Sequence, residues 1–165
     1  MDSIFFDEAV AEYNDTTAKY MNSIASYARN ALGAARDIIV FNPSEQATTE
    51  CYSIADYVVA FENSYSAYSA SVLSSISTEI RAQSQFIVYS FTSDETSQTT
   101  LADDLAAGDI GGIFVTTHPD YTAFSLMWTT SVWLLVLHGK YDEFRTCRYL
   151  RRANILTSRD LFISS

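Results

Sequence analysis

Residues 6–41 read FDEAVAEYNDTTAKYMNSIASYARNALGAARDIIVF, and their apolar spacing decides how the rest of the chain is read. Every seventh position from Phe6 gives Phe6, Tyr13, Tyr20, Tyr27, Ala34 and Phe41. A partner series four residues on gives Val10, Thr17, Ile24, Ala31 and Ile38. This alternating 4-3 stripe predicts one long helix packed along a seam. Asp2 or Ser3 can cap its start, and Asp7 and Glu8 suit its early turns. Pro43 stops it, because proline lacks a donor and biases Asn42 away from helix. Gly33 would cost about 1 kcal/mol inside a helix and marks where a bend or break would fall.

The stripe resumes beyond a polar connection at residues 42–49. Cys51, Ile54, Val58, Phe61, Tyr65, Tyr68 and Val72 follow at 3-4 spacing, and after a slip Ile76, Ile80 and Ile87 carry it on. A stutter of this kind locally unwinds a supercoil. The spacing predicts a second helix from about Thr49 to about Phe91, antiparallel to the first. At 1.5 Å per residue each helix would be roughly 60 Å long, so the predicted molecule is elongated. Tyrosine replaces leucine on the stripes. A tyrosine ring buries well but its hydroxyl needs a partner. Tyr13, Tyr20, Tyr27, Tyr65 and Tyr68 are therefore the candidate contacts with another subunit.

The last third differs in character. Residues 91–100 form a polar loop, and Thr100 can cap a short helix, Leu101 to Ala107, with Gly108 as its stop. Ile113 to Thr117 could be one extended piece. Pro119 opens another helix, and the stretch from Tyr121 to His138 carries no charge over 18 residues. That length is at the lower limit for a bilayer span, and its hydroxyl residues favour a buried central helix anchored by Trp128 and Trp133. A basic helix follows, with Arg145, Arg148, Arg151 and Arg152 close to one face. Before Pro119 there are 16 acidic and 4 basic residues; after it there are 4 acidic and 6 basic. The arginines are read as a charged contact with an acidic protein surface. Nucleic acid is the less favoured partner, since the formal net charge is −10 and no basic groove continues a backbone path.

The whole chain of 165 residues is 48% hydrophobic and 14% aromatic, with five glycines, two prolines and two cysteines. Such a chain is neither disordered nor collagen-like, and it is not a disulfide scaffold. It suits one domain: a helical hairpin over 1–92, a loop and short helix over 93–118, and C-terminal helices over 119–165. No signal-peptide pattern opens it, which predicts an intracellular, unsecreted protein with free thiols. The Asn14-Asp15-Thr16 acceptor sequence is then a chance match. His118 and His138 would stand nearly 30 Å apart along one helix and so share no metal (about 1.5 Å per residue). Cys51 lies on an apolar stripe as an inert thiol, and Cys147 among arginines as an incidental one. Asp103, Asp104 and Asp109 cluster as helix-turn carboxylates rather than metal ligands. Nucleophile-elbow, zinc-protease, phosphate-loop and CxxC motifs are absent.

These readings converge on an all-α bundle built on a long antiparallel hairpin. The expected function is that of a non-enzymatic assembly subunit of a larger complex, of the virion or filament kind. It would act through protein partners, self or other, with no cofactor, no metal and no small-molecule substrate. The rival readings are an acidic inhibitor or adaptor that covers a basic partner surface, and a small protein anchored in a membrane by residues 121–138.

Overall fold

Four short runs, IIVF at Ile38–Phe41, YVVAF at 57–61, QFIVY at 85–89 and GIFV at Gly112–Val115, are apolar at successive positions rather than alternate ones. Strands buried on both faces have that composition, as in parallel sheets. The computed structural model of the chain describes residues 3–33, 38–119 and 127. In it these runs are strands of one five-stranded sheet: β1 Ser3–Phe6, β2 Ile38–Phe41, β3 Tyr57–Ser64, β4 Ser84–Tyr89 and β5 Gly112–Val115. All neighbours are parallel and the spatial order is β1-β2-β3-β4-β5. Helices α1 (Asp15–Leu32), α2 (Ala70–Ser75) and α3 (Glu95–Ala107) lie in the crossovers, with single 3₁₀ turns at Thr49–Ser53, Tyr65–Ala67 and Arg81–Gln83. Each crossover moves one place in the same direction. A doubly wound sheet reverses its order once; this winding does not, and it is the winding of (β/α) barrels.

The all-α hairpin is therefore corrected to an α/β fold. The 6–41 stripe is cut three times. Phe6 and Phe41 are strand residues, and they pair directly in register. Asn14 starts the helix as a capping residue: its side chain accepts from the N–H groups of Thr16 and Thr17, and the Thr17 hydroxyl accepts from the Asn14 N–H. Gly33, at φ +79°, ends it in a backbone conformation that side chains with a Cβ rarely adopt. The second predicted helix is broken further, into β3, α2, β4 and 3₁₀ turns. A strand apolar at nearly every position satisfies a 3-4 template by chance, which is why Val58, Phe61 and Ile87 matched it. Apart from Met127, a turn residue packed against the core, the predicted buried helix at 121–138 lies outside the described residues, as does the basic helix after it.

One apolar cluster joins the helices to one face of the sheet. Met21, Ala25 and Ala28 of α1 and Leu101 and Leu105 of α3 pack with Ile39, Phe41, Val58, Phe86, Val88 and Val115. Small residues on α1 let its backbone approach the sheet closely. Beneath, at the amino ends of the strands, Asp56 ties the layers together. One of its carboxylate oxygens accepts from the Ile39 N–H at 2.8 Å and from the Arg29 guanidinium at 3.0 Å, which also donates to the Ile54 carbonyl. Asp56→Ala leaves a strand N–H without its acceptor and is expected to destabilise by about 1–3 kcal/mol. Arg29→Ala removes a half-exposed ion pair and one bond to the Ile54 carbonyl and should lose less, about 1 kcal/mol. Urea unfolding of both variants checks the order.

Gly111 sits where α3 turns back into β5. Its N–H is shared between the carbonyls of Arg81 and Ser84, and a Cβ there would lie 2.0 Å from the Ala82 carbonyl oxygen. The obstacle is backbone, so it cannot swing aside. Gly111→Ala is expected to destabilise by about 1–3 kcal/mol through forced displacement of the β4 entry, read as a lower urea midpoint. α3 itself starts at Asp94, whose carboxylate accepts from the Ser97 N–H at 2.8 Å. The Ser97 backbone bond first, then its side chain, holds the Asp94 carboxyl below the usual carboxylate range. A depressed folded-state value means the cap helps above the unfolded-state pKa and is lost as pH falls through the folded one. Protection of the first-turn amides of α3, relative to their intrinsic exchange rates, should fall in acid before that of the rest of the helix.

Candidate active site

In parallel α/β sheets the ligand site forms beyond the carboxyl ends of the strands. Here those ends carry Asp7 and Glu8 after β1, Asn42 after β2, Glu62 and Asn63 on β3, Tyr89 and Ser90 at β4, and Thr116 to His118 after β5. Each follows an apolar run that drives its strand into the core and leaves the polar residue at the rim.

Three of these side chains are joined. The Asn42 amide nitrogen donates to Asp7 Oδ1 at 3.0 Å and to Glu62 Oε2 at 2.5 Å. Asn42 is only 3% exposed, Glu62 is half-buried and Asp7 is open to solvent. Backbone bonds fix the arrangement: the Asn42 N–H donates to the Phe6 carbonyl, and the Ala9 N–H donates to the Asn42 carbonyl, both at 2.8 Å. The residue that ends β2 thus holds the loop that leaves β1. Glu8 stands beside Asp7 with φ +51°, a left-handed turn that lets the chain leave β1 sharply. Further along the rim, the Tyr89 hydroxyl donates to Asn63 Oδ1 at 3.5 Å, and the Ser90 N–H donates to the His118 carbonyl at 2.8 Å. Because both bonds from the Asn42 nitrogen end on carboxylates, Asp7 Oδ1 and Glu62 Oε2 lie no more than about 5.5 Å apart, short of the roughly 6.5–9.5 Å that inverting glycosidases leave for a water. A pair of carboxylates at that distance can act as nucleophile and acid/base on one acetal bond. Among the described residues no group of three or more His, Cys, Asp or Glu is placed to hold a metal ion.

The tyrosines read from the stripes separate into two groups. Tyr13, Tyr20 and Tyr27 are 42%, 59% and 79% exposed, on the loop before α1 and on the outside of α1 itself. Tyr65 and Tyr68 follow β3 and pack inward. Tyr65 lies against Phe91 at a ring distance of 4.3 Å, and Tyr68 meets Phe61 and Phe86 edge-on at 6.1 and 6.3 Å. Burial, with the Asp104 and Tyr65 charges adding to it, pushes the Tyr68 hydroxyl pKa up. The structure does not bring the five tyrosines together. Arg145, Arg148, Arg151 and Arg152 lie outside the described residues, as do Cys147 and His138. Cys51 is buried, its thiol directed at the Val10 and Ala11 carbonyls. Asp103 and Asp104 lie on α3 and Asp109 in the turn after it.

Sequence reasoning missed the Asp7–Asn42–Glu62 constellation. It assigned Asp7 to a helical first turn and Asn42 to the residue before a proline, and gave Glu62 no role. The available signal was a repeated one: SIFF-DE, IIVF-N and YVVAF-EN each place a carboxylate or amide directly after a short apolar run.

The model of spherulation-specific family 4 (Spherulin4) matches residues 1–135. Among solved structures, the chain is similar to Sph3 of Aspergillus clavatus, determined in complex with GalNAc. The identity is 25%, the TM-score is 0.72, and the likeness covers 82% of this chain and 56% of that one. The chain thus spans little more than half the length of that protein. No curated protein matches the sequence. These findings overturn the expected coiled-coil virion, capsid or filament subunit, which shares neither this sheet nor this family. The sugar-bound relative likewise counts against the expectation of no small-molecule substrate. No helix among the described residues is long and apolar enough to cross a membrane. With its family model matched over most of its length and its sheet shared with a sugar-bound relative, the chain belongs to spherulation-specific family 4.

Proposed function

We propose that the protein is a glycoside hydrolase that cleaves a polymer containing N-acetylated amino sugars with net retention at the anomeric carbon. The observation that carries this reading is the Asp7–Asn42–Glu62 constellation at the carboxyl ends of three adjacent parallel strands. The sugar class is supported by the GalNAc complex of the similar Sph3.

The chemistry runs in two displacements. One carboxylate of the pair attacks the anomeric carbon and forms an ester bond to it. The partner carboxylic acid gives its proton to the glycosidic oxygen as that C–O bond breaks, so the leaving sugar departs as an alcohol. The partner, now a carboxylate, takes a proton from water. The resulting hydroxide oxygen bonds to the anomeric carbon, and the ester carboxylate leaves with its electron pair. Solvent exposure on the Asp7 side gives that water its path.

The test is proton NMR of oligomeric GalNAc substrates during hydrolysis. First-formed products should keep the anomeric configuration of the cleaved bond. Products of inverted configuration would exclude the two-displacement route, and binding without cleavage would make the site a lectin. The sequence reading expected no enzyme, and the two views part at this assay.

A further inference from the structure

We infer that Asn42 is the positioning residue of the carboxylate pair, setting its separation while donating no hydrogen bond to substrate. The inference rests on the reading of Asp7 and Glu62 as the reacting groups, but its geometry stands apart from that reading.

Every polar atom of the Asn42 side chain is already engaged. Its two N–H bonds go to Asp7 and Glu62, and its Oδ1 accepts from the Ser44 N–H at 3.1 Å. That third bond fixes which way the amide faces. Exchanging oxygen and nitrogen would set an acceptor against two carboxylates and a donor against an N–H. The turn beneath is stiff: Pro43 has a locked φ, and Ser44 holds φ +59°. The backbone of Asn42 is clamped on both sides, by Phe6 and by Ala9. An amide so used has no donor left for a sugar hydroxyl.

Two carboxylates this close repel each other. A neutral amide that donates to both holds them together without adding a charge. The ionisable groups facing Asn42 are Asp7 at the end of β1 and Glu62 on β3. Glu8 adjoins Asp7, and Tyr89 and His118 stand at the ends of β4 and β5.

The test combines crystal structures with steady-state kinetics on GalNAc oligomers, for the parent, Asn42→Ala and the near-isosteric Asn42→Asp. In both variants the Asp7 and Glu62 carboxylates should move apart by roughly an ångström, because their shared donor is lost. kcat should fall about a hundredfold, with KM changed less than about threefold, as expected when reacting groups shift by roughly an ångström. A carboxylate separation identical to the parent's in the folded variants would overturn the proposal. So would a raised KM with kcat intact. If both variants fail to fold where the parent folds, Asn42 is a fold residue and the proposal is overturned as well. If the parent cleaves no glycan yet the carboxylates move apart as described, the glycosidase reading fails and the positioning role stands.

Discussion

Glu62→Gln is expected to lower kcat on GalNAc oligomers by roughly a thousandfold or more, and Asp7→Asn by a similar factor. Each removes one of two groups that must transfer a proton or form a bond at the same carbon. In Glu62→Gln the new amide oxygen can still accept from Asn42, so the constellation keeps its shape and the melting temperature should move by no more than a few degrees. The two variants also separate the roles. A substrate with an activated aryl leaving group needs little protonation, so it restores bond cleavage in the variant that lost the acid. It does not help the variant that lost the nucleophile. Retention of a tenth or more of parental activity by both variants would remove these residues from the reaction.

Phe86→Ala is expected to be the most destabilising single change, by about 3–5 kcal/mol, because it deletes a ring with no solvent exposure from the middle of the sheet. Phe86 is stacked on Phe61 at a ring distance of 5.3 Å and meets Tyr68 edge-on. It belongs to the buried cluster that strands and helices share, so collapse around the cavity is restricted. A domain with a total stability of about 5–15 kcal/mol loses a large part of it in such a change. Tyr27→Ala, by contrast, removes a ring that is already mostly in water and should stay within about 0.5 kcal/mol. Urea unfolding midpoints compare the two directly. A Tyr27 effect equal to that of Phe86 would mean that the outer face of α1 is covered in solution.

How much of this was legible in the sequence can be argued from a few residues. The boundaries of α1 are written locally: Asn14 with Thr17 forms a reciprocal cap, and Gly33 is the stop. The seven-residue reading overran both because Phe6 and Phe41 fell in phase with it. They do meet, at 5.7 Å between ring centres, but as neighbours across two parallel strands rather than along a helix. The sheet was hidden for a general reason. A strand of four to eight residues that is apolar on both faces carries no periodicity of its own, and length and β-branching are what distinguish it from a helix segment. IIVF and FIVY had that composition. The site was less legible still. Asp7, Asn42 and Glu62 are far apart in the chain, and only the parallel register brings them to one rim. A carboxylate-amide-carboxylate set has no spacing rule, unlike the motifs that sequence inspection can exclude.

The order of the strands also bears on how the chain gets there. Among the described residues every strand pairs with the one made just before it, and no pairing there needs a chain closure longer than that from Ser3 to Ile38. The sheet can therefore grow in the direction of synthesis, one crossover at a time. Asp7, Asn42 and Glu62 would meet once the third strand has docked, with β4 and β5 still to come. At each stage the newest strand presents a row of unpaired N–H and C=O groups, the feature that recruits foreign strands. The same winding that assembles the rim early leaves a sticky leading edge throughout folding. Expression at lower temperature or with slowed initiation should accordingly favour soluble protein over inclusion bodies.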